Sequence, residues 1–308
     1  MHASHAPLAP AHRKPGAGLL FLVLSGTLWG TGGLTGSLLS LNSALPPLAV
    51  AAYRLAVGGA LIIFFLALIG RRLPRGRTAW GRITTVGVLS AMCQACYFAA
   101  VSLTSVSVAT LITIGAAPAL VLATESAVGR RRADRWSVGP ICLALAGLGL
   151  LVGVPIGGLT APAMLGGAGL ALLAAGGFAA ITLIGTSAVP GLDEMTTTGF
   201  GFAVGGLFLI FLAEPTVGMG FDPSVTSITL VIMLGTVPTA VAYTLYFRGL
   251  RTVAASTAAL VALLEPLTGA LLAALMLDDH LGAAGISGAA LLAAAVTIAA
   301  MAPSGRLR

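Results

Sequence analysis

The sequence predicts an all-α membrane protein with ten transmembrane helices in two inverted five-helix repeats. Of its 308 residues, 57% are hydrophobic and only 8% are charged, whereas an ordinary soluble domain has about 25% charged residues. A surface with so few charges cannot be covered by water, so most of it must face lipid. Two further observations support this fold: ten long apolar runs, and a pattern that recurs at half the chain length.

The apolar runs are continuous, and most are long enough for a helix to cross about 30 Å of hydrocarbon. The strands of a membrane barrel would instead alternate apolar and polar residues. The predicted spans, numbered 1 to 10, are Ala17–Leu38, Pro46–Ile69, Trp80–Ser102, Val106–Val128, Trp136–Pro155, Ala163–Ser187, Met195–Ala213, Thr226–Phe247, Val253–Leu277 and Leu281–Met301.

The basic residues predict how these spans are oriented. Of the 16 lysine and arginine residues, all except Arg54 precede span 1, follow span 10, or lie in or near the connections between spans 2 and 3, 4 and 5, and 8 and 9, Arg82 being two residues inside span 3. By the positive-inside rule, these regions and both termini are predicted to be cytoplasmic, in a protein of the cell's cytoplasmic membrane. Residues 1–16 are predicted to form a disordered cytoplasmic tail.

The two halves of the chain share a pattern. Tyr97-Phe98 precedes a Ser/Thr/Ala-rich helix that contains Pro118, and Tyr246-Phe247 precedes a similar helix that contains Pro266. Because each half has five spans, an odd number, the second half enters the membrane upside down. Inverted repeats are typical of secondary transporters, whose substrate site lies near the midplane between the halves. The predicted repeats are 17–155 and 163–301.

Several short motifs occur in a specific order and spacing along the chain. They are Leu28-Trp29-Gly30, Tyr53-Arg54-Leu55, Ala117-Pro118, Tyr246-Phe247 and Leu264-Glu265-Pro266-Leu267. With these motifs the sequence resembles the EamA family of the drug/metabolite transporter superfamily over nearly its whole length. The resemblance implies ten helices in two five-helix repeats and the export of amino acids or related metabolites, but it does not identify the substrate.

One feature departs from the family pattern. Family members often carry an acidic residue just after spans 4 and 9. The second repeat has Asp278 and Asp279 there, whereas Glu125 in the first repeat comes several residues early. The resemblance therefore transfers no role to Glu125.

Two ionisable residues lie deep inside predicted spans, where a charge is costly and usually faces a cavity or a partner. Glu265 lies about 18 Å into span 9 at a rise of 1.5 Å per residue. Its carboxyl group is a candidate for proton coupling or for binding a substrate amine, and a structural hydrogen bond or ion pair is the alternative. Arg54 is a candidate to clamp a substrate carboxylate through its planar fork. The alternatives are a permanent pair with Glu265 or a side chain extended out of the apolar layer.

Four further residues are predicted to line a substrate-binding pocket. Trp29 lies deep in span 1, where its indole N–H needs an acceptor, although core packing is the alternative. Gln94 and Tyr97 share one face of span 3. Tyr243 of span 8 is the fourth candidate, whereas Tyr246 is closer to the cytoplasmic interface and is predicted to be an interface anchor.

Pro118 and Pro266 are predicted to break their helices and to contribute to gating. A proline removes the hydrogen bond to the carbonyl four residues back, here those of Ile114 and Ala262. Matched breaks in two repeats point to a transporter's binding site. Simple packing kinks are the alternative.

The chain also contains 41 glycines. Small residues four positions apart let two helices touch along their backbones. Such contacts could permit sliding during transport, or they could serve static packing. The pairs are Gly26/Gly30, Gly32/Gly36 and Gly201/Gly205.

Together these observations predict a secondary transporter that exports small metabolites by alternating access. A facilitative channel-like permease and a multidrug efflux protein are the alternatives. An intramembrane enzyme is disfavoured, because the sequence has no H-E-x-x-H motif and its only histidine beyond the tail is His280, in a short loop. Since there is also no Walker motif, ATP hydrolysis by this chain is excluded.

No cofactor, metal ion or nucleic acid is predicted as a partner. Cys93 and Cys96 form a C-x-x-C motif inside an apolar helix, without the histidine or second pair that a metal or redox site needs. The net charge of +7 comes with no nucleic-acid-binding motif. The predicted partners are a small-molecule substrate and the lipid bilayer. Proton coupling and a monomeric or homodimeric state are both left open.

Cysteine labelling tests the predicted orientation. In a variant whose Cys93, Cys96 and Cys142 are replaced by serine, we expect an impermeant maleimide added outside intact cells to label a cysteine placed at Ser43. A cysteine placed at Arg131 should stay unlabelled, because the positive-inside rule places that loop in the cytoplasm. Labelling after lysis controls for a buried thiol. Strong external labelling at Arg131 would contradict the ten-span topology.

Overall fold

The computed structural model describes residues 15–153, 160–276 and 282–301. Within these ranges the chain forms ten helical spans, each long and apolar enough to cross a membrane, and no strand. This finding confirms the predicted all-α membrane fold. Outside the described residues lie the predicted tail up to residue 14, the predicted span ends Pro155, Leu277 and Leu281, and the loop residues Asp278, Asp279 and His280.

The spans begin and end within a few residues of the predicted runs. Two of them start at an acidic cap, a side chain that accepts the free N–H groups of a first helical turn. Asp134 accepts from Ser137 N at 2.9 Å, and Asp193 accepts from Thr196 N at 2.7 Å. The bounds are Pro15–Ser43, Pro47–Leu68, Arg77–Leu103, Val106–Ala127, Arg135–Val152, Ala161–Gly185, Glu194–Thr216, Val225–Gly249, Ala255–Met276 and Ala283–Met301.

The two halves of the chain pack against each other with an approximate twofold relation. Span 1 packs against spans 8 and 9, and span 6 packs in the same way against spans 3 and 4. When each span of the first half is exchanged with the span five positions later in the second half, these two sets of contacts replace each other. The contacting pairs 2–7 and 5–10 are unchanged by the same exchange. The halves are therefore interleaved inverted repeats, as predicted, rather than two separate bundles.

Glycines allow the closest of these contacts. A Cβ atom at Gly59 of span 2 would lie 2.8 Å from the carbonyl oxygen of Gly199 in span 7. A Cβ atom at Gly147 of span 5 would lie 2.8 Å from the backbone nitrogen of Leu292 in span 10. Because hydrocarbon supplies no hydrophobic drive between helices, such close backbone packing is a main source of helix association in lipid.

The predicted glycine pairs contact different neighbours. Gly26 and Gly30 face span 9, where a Cβ atom at Gly26 would lie 2.8 Å from the carbonyl oxygen of Val261. Gly201 and Gly205 of span 7 face Val86 and Gly87 of span 3. The pair Gly32/Gly36 does not face a single helix, since Gly32 meets Pro238 of span 8 and Gly36 meets Val50 of span 2.

Only one of the two predicted helix breaks is present. Span 9 consists of two helices, Ala255–Val261 and Leu264–Met276, and the N–H of Glu265 donates to Ala262 O at 3.0 Å across the interruption. Span 4 is continuous through Pro118, so the break expected there is not found. A proline removes a single backbone hydrogen bond, and span 4 keeps its helix on both sides of Pro118 while it packs against span 6.

Span 8 contains an irregularity that the sequence analysis did not predict. It begins as the helix Val225–Gly235, continues as the π-helical turn Thr236–Val241 and ends as the helix Ala242–Gly249. Pro238 lies inside this turn, where it has no N–H to donate. The Thr239 hydroxyl donates to Leu234 O, five residues earlier, at 2.8 Å, which satisfies a carbonyl in the apolar layer.

The backbone contact between spans 2 and 7 can be tested by a glycine-to-alanine substitution, which adds a single methyl group. We expect Gly59→Ala to destabilise the protein by about 1–3 kcal/mol, because the added Cβ atom collides with the backbone of span 7. The measurement is the midpoint of thermal unfolding in detergent. Gly169→Ala in span 6 is the matched control, because a Cβ atom there meets nothing within 4 Å. Equal midpoints for the two variants would contradict the backbone contact.

Candidate functional site

A cavity of about 670 Å³ lies between the two halves of the bundle. Its walls come mainly from spans 1, 2, 3, 4 and 9. At one end it includes Leu41 and Val106, whose side chains are 82% and 62% exposed. This end lies by the loops after spans 1 and 3, opposite the end that carries Arg71, Arg131 and Arg251, which we call the arginine side. The cavity therefore opens away from the arginine side.

The structure brings all six predicted substrate-binding residues to this one cavity. They come from spans 1, 2, 3, 8 and 9, and Pro266 lies among them, whereas Pro118 does not line the cavity. Cys93, Thr110 and Phe178 also line it, although the sequence analysis did not select them for the pocket. The six are Trp29, Arg54, Gln94, Tyr97, Tyr243 and Glu265.

An aromatic layer forms the floor of the cavity on its arginine side. The ring centroid of Trp29 lies 4.8 Å from that of Tyr243 and 4.8 Å from that of Tyr246, and Phe178 lies 5.8 Å from Tyr246. Tyr246 is 1% exposed, and its hydroxyl is 2.8 Å from Thr182 Oγ1. The interpretation of Tyr246 as an interface anchor is therefore wrong, because the residue packs inside the bundle.

Trp29 lacks the acceptor that its indole N–H was predicted to need. Its side chain is 2% exposed, and no residue in the described part of the chain accepts a hydrogen bond from Nε1. Its ring is instead surrounded by the aromatic layer and contributes to the cavity wall. Trp29 was predicted either to line a pocket or to pack in the core. It does both, since it is buried and borders the cavity.

Polar contacts between the two halves close the arginine side. The carboxylate of Glu125 is buried and accepts from Ala255 N at 3.2 Å and from Ser256 N at 3.3 Å. Arg131 Nη1 donates to Ser256 Oγ at 3.0 Å and to Thr257 Oγ1 at 3.2 Å. The end of span 4 and the loop after it are therefore attached to the first turn of span 9.

Two further contacts join the halves at the same end, and a third joins span 7 to the loop after span 8 within the second half. Arg251 pairs with Glu194 at 3.3 Å, and Arg71 pairs with Asp193 at 3.4 Å. Arg82 of span 3 donates to the carbonyl oxygen of Ile184 in span 6. The molecule is thus closed on the arginine side and open on the other. No local sequence signal selects Glu125, because its partners are backbone N–H groups far along the chain.

Arg54 is held by span 8. Its Nε donates to Thr239 Oγ1 at 3.0 Å, and its Nη2 lies 3.5 Å from the carbonyl oxygen of Pro238. In the described part of the chain no carboxylate lies within 4.0 Å of its guanidinium group, so the proposed permanent pair with Glu265 is not present. The guanidinium also lines the cavity rather than extending out of the apolar layer.

Glu265 lies in the first turn of the second helix of span 9, directly after the break. No basic side chain among the described residues is within 4.0 Å of its carboxyl group. On the opposite wall, the Tyr97 hydroxyl is 2.9 Å from Thr110 Oγ1. Among the described residues, the cavity therefore presents one basic group, one acidic group and hydroxyls, and the basic and acidic groups do not neutralise each other by contact.

The sequence profile of the EamA-like transporter family matches residues 16–153 and 165–301, one match for each half of the bundle. This chain belongs to the EamA-like transporter family. The family resemblance found from short motifs is thereby confirmed, and so is the general prediction of a membrane transporter. The two matched segments correspond to the two inverted repeats seen in the packing.

Two comparisons agree with this assignment. The chain is similar to the uncharacterized transporter YwfM of Bacillus subtilis (strain 168), with 32% identity over 296 residues, covering 92% of this chain and 94% of YwfM. It is also similar to a protein of known crystal structure at 21% identity and a TM-score of 0.77, covering 92% of this chain and 98% of that one. The second likeness shows that the EamA-like transporter shares its fold with that protein.

Proposed function

We propose that this EamA-like transporter exports small zwitterionic metabolites, amino acids or related compounds, across the cytoplasmic membrane by alternating access. The observation that carries the proposal is that Arg54 and Glu265 face the same cavity without pairing. An unpaired charge in an apolar layer is costly. A ligand with a carboxylate and an ammonium group would compensate both charges at once.

The rest of the cavity suits the remainder of such a ligand. The volume of about 670 Å³ falls within the range of small-molecule sites, about 300–1,000 Å³. Its aromatic floor can pack on an apolar side chain, while the planar fork of Arg54 suits a carboxylate. The family's link with amino-acid export agrees with this chemistry.

Alternating access is supported by the difference between the two ends of the bundle. With the arginine side in the cytoplasm, as the positive-inside rule predicts, the cavity faces outward in this conformation. The twofold relation between the halves means that the helix–helix contacts at one end have counterparts at the other end. A channel-like permease is less well supported, because in the part of the chain that the structure describes the aromatic layer and the polar contacts close the arginine side.

A transport screen tests the proposal. The purified protein is reconstituted into proteoliposomes preloaded with each of the twenty standard L-amino acids, and counterflow of the labelled compound is measured. We expect saturable counterflow for a subset of amino acids. The decarboxylated amines and deaminated acids of that subset should compete poorly, because each lacks one of the two charges. Equal transport of the amines, the acids and the amino acids would rule out zwitterion recognition and favour a multidrug efflux protein.

The role of Arg54 is tested by replacing its fork with a point charge. We expect Arg54→Lys to weaken transport about tenfold or more, because an ammonium group cannot reproduce two parallel hydrogen bonds to a carboxylate. Counterflow is measured together with the thermal midpoint of the purified protein. Arg72→Lys, in the exposed loop after span 2, is the matched control. Normal counterflow by Arg54→Lys would leave Arg54 only a structural or electrostatic role.

Glu265 is tested by removing its ability to take up a proton. We expect Glu265→Gln to weaken counterflow of the amino acid about tenfold or more and to abolish accumulation driven by a proton gradient, because glutamine keeps the shape but offers no negative charge to the ammonium group and cannot ionise. Glu214→Gln, at the exposed end of span 7, is the control. Loss of accumulation with normal downhill exchange in a folded variant would assign Glu265 to proton coupling alone and would contradict its role in binding the substrate amine. Unchanged accumulation would show that Glu265 is structural and that coupling does not pass through it.

A further inference from the structure

The π-helical turn of span 8 gives Thr239 an unusual position. Its side chain is fully buried, and its hydroxyl hydrogen is used in the bond to Leu234 O at 2.8 Å. A threonine hydroxyl has one hydrogen to donate and two lone pairs that accept. The lone pairs therefore face Arg54 Nε, which donates to them at 3.0 Å. In the π turn this hydroxyl donates to a carbonyl five residues back rather than four, and it remains an acceptor for Arg54.

The contacts with span 8 use one particular edge of the guanidinium group. Nε and Nη2 form one fork of an arginine, and both face span 8, Nε towards Thr239 and Nη2 towards the Pro238 carbonyl. The Nη2 contact, at 3.5 Å, is long, so Thr239 provides the stronger bond. Of the five N–H donors of an arginine, the remaining ones are on the two terminal nitrogens. The terminal fork is thus the one left for a ligand.

Spans 1 and 2 hold the π turn in place. A Cβ atom at Gly58 would lie 2.8 Å from both Gly235 O and Thr239 Cγ2, and one at Gly32 would lie 3.1 Å from Pro238 Cβ. Both glycines therefore let a neighbouring span touch the turn directly. Because π turns in helices are frequently found at functional sites, and this one contacts a cavity-lining arginine, it has more than a packing role.

We propose that Thr239 is the positioning residue of Arg54: its hydroxyl fixes the guanidinium group so that the terminal fork faces the carboxylate of the substrate. This inference rests on the proposed function, because it assumes a ligand with a carboxylate. A long arginine side chain loses rotamer freedom when it binds, and a side chain already held in its binding geometry loses less. Thr239 thereby raises affinity for the carboxylate without touching it.

The test compares Thr239→Val, which keeps the shape but removes the hydroxyl, with Thr239→Ser, which keeps the hydroxyl. The probe is the standard L-amino acid with the highest counterflow in wild-type proteoliposomes, together with its decarboxylated amine. We expect Thr239→Val to raise the KM for the amino acid about tenfold, because a tenfold change in affinity corresponds to the loss of one hydrogen bond to a charged group. The maximal rate and the weak competition by the amine should change less than about twofold, and Thr239→Ser should restore the wild-type KM.

Thr244→Val is the matched control in the same span. Thr244 is also buried, and its hydroxyl donates to Ala240 O at 2.7 Å, but it has no contact with Arg54. An unchanged KM for folded Thr239→Val, or an equal rise for Thr244→Val, would overturn the positioning role. If Thr239→Val does not fold, a raised KM for Thr239→Ser would count equally against it, because serine keeps the acceptor. If the wild type transports no amino acid, the proposed function fails and this inference fails with it.

Discussion

Inside a bilayer every backbone N–H and C=O must find its partner within the protein, because hydrocarbon offers none. This constraint explains why the described spans are helices. Two of them, spans 8 and 9, depart from the regular α-helix and must satisfy their backbone groups in another way. In span 8 the hydroxyl of Thr239 donates to the carbonyl oxygen of Leu234, and in span 9 the N–H of Glu265 donates to the carbonyl oxygen of Ala262. Each of these irregularities therefore places a polar group beside the cavity while one backbone carbonyl keeps a hydrogen-bond partner.

The halves are alike in how they pack but not in the geometry of their helices. Contacts such as those between spans 2 and 7 obey the twofold relation, because small residues on both sides let backbones touch. The helix break in span 9 has no counterpart at Pro118 in span 4, and the π turn of span 8 has none in span 3. The second half thus supplies the irregular elements, and the first half supplies Arg54.

Charge explains why these irregular elements matter for function. Arg54 and Glu265 lie in one cavity and have no oppositely charged partner within 4.0 Å in the part of the chain that the structure describes. Removing an ion from water costs several kcal/mol even after relaxation. The opening of the cavity to one side reduces this cost, because water can reach both groups. On the closed side, Glu125 accepts from backbone N–H groups, Arg131 donates to hydroxyl groups and Arg71 pairs with a carboxylate, and all of these polar groups can separate and be hydrated.

The sequence alone determined the number of spans, their inverted arrangement and the family, because hydrophobic length, arginine spacing and repeated motifs act along the chain. It also selected six of the residues that line the cavity, since a charge or a large polar side chain deep in a span needs a cavity or a partner. Only the tertiary structure decided which groups meet. Arg54 contacts Thr239, Tyr246 is buried, Pro118 leaves span 4 intact and Glu125 caps span 9. These outcomes depend on contacts between helices far apart in sequence, and no local pattern encodes such distances.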